Sequence, residues 1–119
     1  MSRSVLLQLS RDSIQEVLQA QNSIDKKSLL GEHPLLHQVV KTTTNLYLND
    51  ELRGSYESDK NLSLADAVII GAKKAAFEDP AFVPLSTSEY LHCEIELILD
   101  TPEGIISEKD PAILSETKT

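Results

Sequence analysis

Leu7, Ile14, Val17 and Leu18 fall near one face of a helical wheel, with Arg11, Gln15, Glu16 and Gln19 largely opposite. This spacing predicts an amphipathic helix over about residues 3–20, packed by its apolar stripe. Residues 21–32 mix Asn, Ser, Asp, Lys and Gly without a period and read as a linker within the domain. Pro34 suits the first turn of a short helix carrying Leu35, Leu36, Val39 and Val40.

From Thr42 the pattern changes. Thr42-Thr43-Thr44-Asn45-Leu46-Tyr47-Leu48 is rich in residues that fit a pleated surface, and Asn49-Asp50 offers a tight turn before Leu52, so a β-hairpin is expected. Ser63 then caps a second helix, with Asp66 in its first turn at the positive end of the dipole. The inner stripe of that helix, Leu64, Val68, Gly71, Ala72, Ala75 and Ala76, is mostly small, which lets the helix approach a sheet closely. Asp79-Pro80 ends it, because the residue before a proline is pushed out of α geometry. Ser86 and Glu89 form a capping-box pattern for one more helical turn. Leu91, Cys93, Ile95, Leu97 and Leu99 then alternate with His92, Glu94, Glu96, Ile98 and Asp100, the period of a strand with one buried face. His92 falls on its outer face. The expected organisation is one domain over residues 1–106 and a polar tail over 107–119, with Ile113 and Leu114 as its only apolar anchors.

Composition narrows the function classes. With 19 acidic against 11 basic residues the formal charge is -8, the wrong sign for gripping a phosphate backbone, so nucleic acid is not an expected partner. A lone cysteine, Cys93, excludes an internal disulfide or a paired-cysteine zinc site and fits a reducing, cytoplasmic setting. The run from Val5 to Leu9 is too short for a signal-peptide core, and no apolar stretch is long enough to span a membrane.

The most informative residues are Leu52-Arg53-Gly54, Ala75-Ala76-Phe77, Asp79-Pro80, Phe82, Pro84-Leu85, Glu89 and Pro102-Glu103. Their order and spacing resemble the AMMECR family over nearly the whole chain. The resemblance implies an α+β fold, an antiparallel sheet flanked by helices, with a cleft near the Leu-Arg-Gly motif. This chain departs from the family pattern where chemistry would be sought: Ser55 replaces a cysteine, Tyr56 an isoleucine, Glu57 a glycine and Ala81 an arginine. Loss of the thiol removes the strongest latent nucleophile. Family members also usually continue past the last strand.

Arg53 is the leading candidate, since a guanidinium at a strand end can clamp a carboxylate or phosphate in a fork; the bland alternative is that it ties down its own loop. With Leu52, Gly54, Ser55, Asp79 and Phe82 it defines the expected binding region. Ser55 is the only nominee for catalysis, and no base can be assigned to it from the sequence. His33 and His37 have two-ligand spacing without a third ligand, so neither a metal nor another cofactor is expected. The favoured function is a non-catalytic binding or interaction module that recognises a protein partner or a small anionic ligand. The alternative, implied by the resemblance, is an accessory component of a macromolecule-modifying system that acts with radical-chemistry or dioxygenase-like partners. A symmetric homodimer is the expected assembly, through an exposed strand edge or apolar patch; against it, Glu94, Glu96 and Asp100 would guard a monomer.

Overall fold

Two hairpins build one four-stranded antiparallel sheet. Strands β1 (Lys41–Leu48) and β2 (Glu51–Glu57) are joined at Asn49 and Asp50, both at positive φ (55° and 66°), the backbone that a tight two-residue hairpin turn requires. Strands β3 (Cys93–Thr101) and β4 (Gly104–Asp110) are joined by Pro102-Glu103, with Gly104 at φ 134°, where an L side chain would be strained. The strand order is β2-β1-β3-β4. The computed structural model describes residues 4–22, 24–58 and 61–113.

Helices α1 (Val5–Gln19) and α3 (Leu64–Phe77) pack against each other on one face of the sheet. Leu46, Ile95 and Leu97 from the strands meet Leu7, Ile14, Val68, Ala72 and Ala75 from the helices in a continuous core. The small stripe of α3 serves the close approach that its sequence suggests. A Cβ at Gly71 would fall 2.7 Å from the Thr44 hydroxyl, and one at Gly54 of β2 would enter the Ala75 carbonyl. The expected caps form: Ser63 Oγ accepts from Asp66 N–H at the start of α3, and Ser86 and Glu89 close a capping box on α4 (Thr87–Leu91).

Several expectations are corrected. The stretch read as a linker contains a helix, α2 (Lys26–Glu32), capped by Asp25; it fully buries none of its residues, and only the adjacent, half-buried Leu29 and Leu30 pack against the core, too few to make an apolar period. The turn begun by Pro34 is a 3₁₀ segment ending at His37, and Val39 instead bridges to Ser63. His92 is the C-cap of α4, so β3 starts at Cys93. Arg11, assigned by its charge to the polar face of α1, is fully buried, while Val17 is exposed. Position explains Arg11: it lies four residues after Leu7 and three before Ile14, on the inward stripe itself. The boundary at 106 is also too early, since Ser107 to Asp110 continue β4 in register with Ile98 to Ile95. An edge strand with one open side needs no strict alternation of apolar residues, so its sequence looks like a tail. Leu114 lies outside the described residues.

No helix among the described residues is long and apolar enough to cross a membrane.

Candidate functional site

A β-bulge sets up the Leu-Arg-Gly region. The β1–β2 register runs Leu46↔Gly54 and then Tyr47↔Leu52, so Arg53 is the extra residue. Arg53 and Gly54 consequently both turn inward and are buried, although they are adjacent in a strand. Leu52 lies opposite Tyr47 on the outer face and is 46% exposed.

Arg53 is 8% exposed and its guanidinium is engaged within the chain. Nε donates to Glu89 Oε2 at 3.1 Å, and Nη2 donates to Glu89 Oε1 at 2.9 Å and to the Val83 carbonyl at 2.8 Å. The guanidinium carbon sits 5.3 Å from the centre of the Phe82 ring. Nη1 is buried without a hydrogen-bond partner among the described residues. Glu89 is also the capping-box residue, accepting from Ser86 N–H at 3.2 Å. One carboxylate thus caps α4 and locks Arg53, which in turn fixes the loop leading into α4.

Asp79 ties the same loop to β2, accepting from Ser55 N–H at 3.0 Å through one oxygen and from Ala81 N–H at 2.9 Å through the other. The structure places Arg53 beside Phe82 and Ser55 beside Asp79. Their hydrogen bonds run within the chain, to Glu89, the Val83 carbonyl, Ala81 N–H and one another. Gly54 is filled against by α3, so its missing side chain makes room for a helix, and no ligand is needed to explain it.

Ser55 presents its hydroxyl on the outer sheet face, where Oγ donates to Asn45 Oδ1 at 2.6 Å. Asn45 Nδ2 and Tyr47 OH both donate to Glu96 Oε1, at 3.2 Å and 3.0 Å. The bond to Glu96, followed by burial, raises the Tyr47 pKa above its ordinary value. An amide oxygen does not take up a proton at neutral pH, so this arrangement gives Ser55 no activating base.

Cys93 is fully buried, and burial pushes its thiol pKa up to about 11 against the opposing pull of the Arg11 guanidinium. The native protein should therefore resist an aromatic disulfide reagent at pH 8 and release its single thiol only on addition of denaturant; rapid native labelling would contradict this. His33 and His37 do not share a continuous helix, because His33 is the junction between α2 and the 3₁₀ turn. Among the described residues no group of three or more His, Cys, Asp or Glu is placed to hold a metal.

Two concavities lie away from the bulge. One, of about 140 Å³, is floored by Ile98 and Ile105 between Lys41, Glu57 and Asp100; the other, of about 260 Å³, opens between α1 and α4 at Leu18, Tyr90 and Ile113.

The Arg53–Glu89 pair makes a definite prediction. Its hydrogen bonds, foremost those from Arg53 and then that from Ser86, hold the Glu89 carboxyl below its ordinary range despite desolvation. A carboxylate with a depressed folded pKa contributes stability above its unfolded value, near ~4.3, and that contribution is lost as pH falls through the folded value. Glu89→Gln should accordingly be less stable than wild type at pH 7, with the two urea midpoints converging toward pH 3. Arg53→Ala should cost about 2 kcal/mol at pH 7, as for lost hydrogen bonds to a charged group. A constant gap between wild type and Glu89→Gln over this pH range would contradict the assignment.

The whole is an α+β domain in which an arginine at a sheet bulge secures a neighbouring loop. The AMMECR1 family model matches residues 7–115, and the chain belongs to that family. Among solved structures it is similar to an uncharacterized protein, PH0010, from Pyrococcus horikoshii, at 25% identity and a TM-score of 0.71. The match covers 82% of this chain and 50% of that one, so this chain spans about half the length of its solved relative. No curated protein matches this chain. Glu89 was legible beforehand only as a cap and a family match; its pairing with Arg53 has no local signal, since 36 residues separate them.

Proposed function

We propose that this AMMECR1 family member is a non-catalytic, cytoplasmic binding module that engages a protein partner through the surface around Leu52 and Phe82-Val83. The bidentate pairing of Arg53 with Glu89 carries this reading. Its charge is already met by Glu89 in a fork, so a small anion arriving there would have to displace a carboxylate held at 2.9 Å and 3.1 Å. What the network does instead is fix the backbone at Val83, whose side chain stands 74% exposed. Leu52, the chain neighbour of Arg53 on the other side, is also an exposed large apolar residue. Rigidly held apolar side chains beside a buried ion pair suit a protein contact, because little ordering entropy is lost on binding.

The test compares wild type with Leu52→Asp and Val83→Asp in affinity isolation from native cells, read by quantitative mass spectrometry. Both variants are expected to keep the wild-type urea midpoint and to lose the protein partner that wild type retains. Phosphate and small carboxylates are expected to leave the melting temperature unchanged. Retention of every partner by both variants would sink the proposal; an anion-dependent rise in melting temperature that vanishes in Arg53→Ala would restore the small-ligand alternative.

A further inference from the structure

Strand β4 is the sheet edge opposite β2. It pairs with β3 without interruption from Thr101↔Gly104 to Ile95↔Asp110, and its other side carries no strand among the described residues. Ile105 is 73% exposed and Ile106 is 50% exposed. Successive strand residues point to opposite faces, so apolar exposure at both positions marks an open edge more than an open face. The opposite edge, β2, is blunted by its bulge.

We propose that β4 pairs antiparallel with β4 of a second copy of this chain, about a two-fold axis at Ile106, to make one continuous eight-stranded sheet. This register is self-complementary. It sets Ile106 against the second copy's Ile106, Ile105 against Ser107 and Gly104 against Glu108, and it brings Glu103, in the turn just before β4, alongside Lys109. The central pair is apolar, Gly104 leaves room beside Glu108, whose carboxylate accepts from Ser4 Oγ, and at each end the turn residue Glu103 meets the second copy's Lys109 when that side chain swings away from the Tyr47 ring, 5.7 Å from its ammonium. Moving the axis to Ser107 would set Ile106 against Glu108 and separate Glu103 from Lys109, losing the apolar pair and the charge pair alike. A two-fold contact of this kind closes after two copies, so it terminates the edge without building a filament. The surface is distinct from the Arg53 region, and the proposal stands independently of the binding function.

Sedimentation equilibrium of the full chain should give twice the 13.2 kDa chain mass at tens of micromolar protein. Ile106→Lys, which sets two cations against each other on the axis, should weaken association at least tenfold, ~1.4 kcal/mol, with an unchanged circular dichroism spectrum. Glu103→Lys and Lys109→Glu should each weaken it, and the double reversal should restore it, a result that loss of folding cannot mimic. A mass that stays at 13.2 kDa to several hundred micromolar overturns the proposal. So does a dimer indifferent to Ile106→Lys, and one that the double reversal fails to restore overturns the register.

Discussion

Replacing Arg11 by alanine is expected to lower the unfolding free energy by about 3–5 kcal/mol, the cost of breaking a buried ion pair by removing one partner. Arg11 joins four elements from the middle of α1. Its Nε donates to Asp110 Oδ2 at 2.5 Å, and Nη2 donates to the carbonyls of Cys93 at 3.0 Å and Pro111 at 2.8 Å. The guanidinium also sits 5.3 Å from the centre of the Tyr90 ring. Alanine would deprive a buried carboxylate and two carbonyls of these donors while opening a cavity where the side chain lay. Since a domain of this size has only about 5–15 kcal/mol of stability in total, the variant should be partly unfolded at modest urea concentrations. The double variant Arg11→Met/Asp110→Asn should be less damaged, because it removes the buried carboxylate's charge together with the guanidinium. Urea unfolding with a common slope checks both; a loss below about 1 kcal/mol for Arg11→Ala would show that the pair contributes no more than a surface ion pair.

The second large effect is expected at Gly54, where alanine should cost about 3 kcal/mol, the upper end of overpacking penalties. The new Cβ would lie far inside van der Waals contact distance of the Ala75 carbonyl oxygen and 3.0 Å from its carbon. That obstacle is helix backbone, so no rotamer change relieves it; either α3 lifts from the sheet or the bulge at Arg53 is pulled out of place. Gly31→Ala provides the matched contrast. Gly31 lies within α2 with nothing inside 4 Å of its added Cβ, so alanine there should stabilise by about 0.5–1 kcal/mol through helix propensity and a less flexible unfolded chain. Opposite signs at the two glycines are the expected result. A tolerated Gly54→Ala would mean that α3 and β2 do not pack as closely as described.

Where local chemistry decides structure, the chain was readable in advance. Asn49-Asp50 provides the positive-φ turn, Ser63 and Ser86 provide caps, and the alternation from Cys93 to Leu99 provides a half-buried strand, each within a few residues of sequence. The helix α2 was not readable, since its only core contacts come from the adjacent, half-buried Leu29 and Leu30, too few to make a period. The candidate region was legible as a set of residues and not as a site. Arg53, Ser55, Asp79 and Phe82 do come together, yet the bonds they form are with Glu89, Asn45, the Val83 carbonyl and each other.

The sequence by itself determined the elements whose signals are periodic or capped, the small inner stripe of α3, and an acidic chain with one thiol. Only the tertiary structure decided which charges are internal. Of 19 acidic residues, nothing local assigns Glu89 to Arg53 or Asp110 to Arg11, because those partners lie 36 and 99 positions apart and meet only when the helices close on the sheet. Residue type then misleads, since an arginine on an apolar stripe looks like a surface residue until a distant carboxylate is brought to it. The same holds for β4. Its residues carry no alternating pattern, and it is a strand because β3 supplies seven partners along one side.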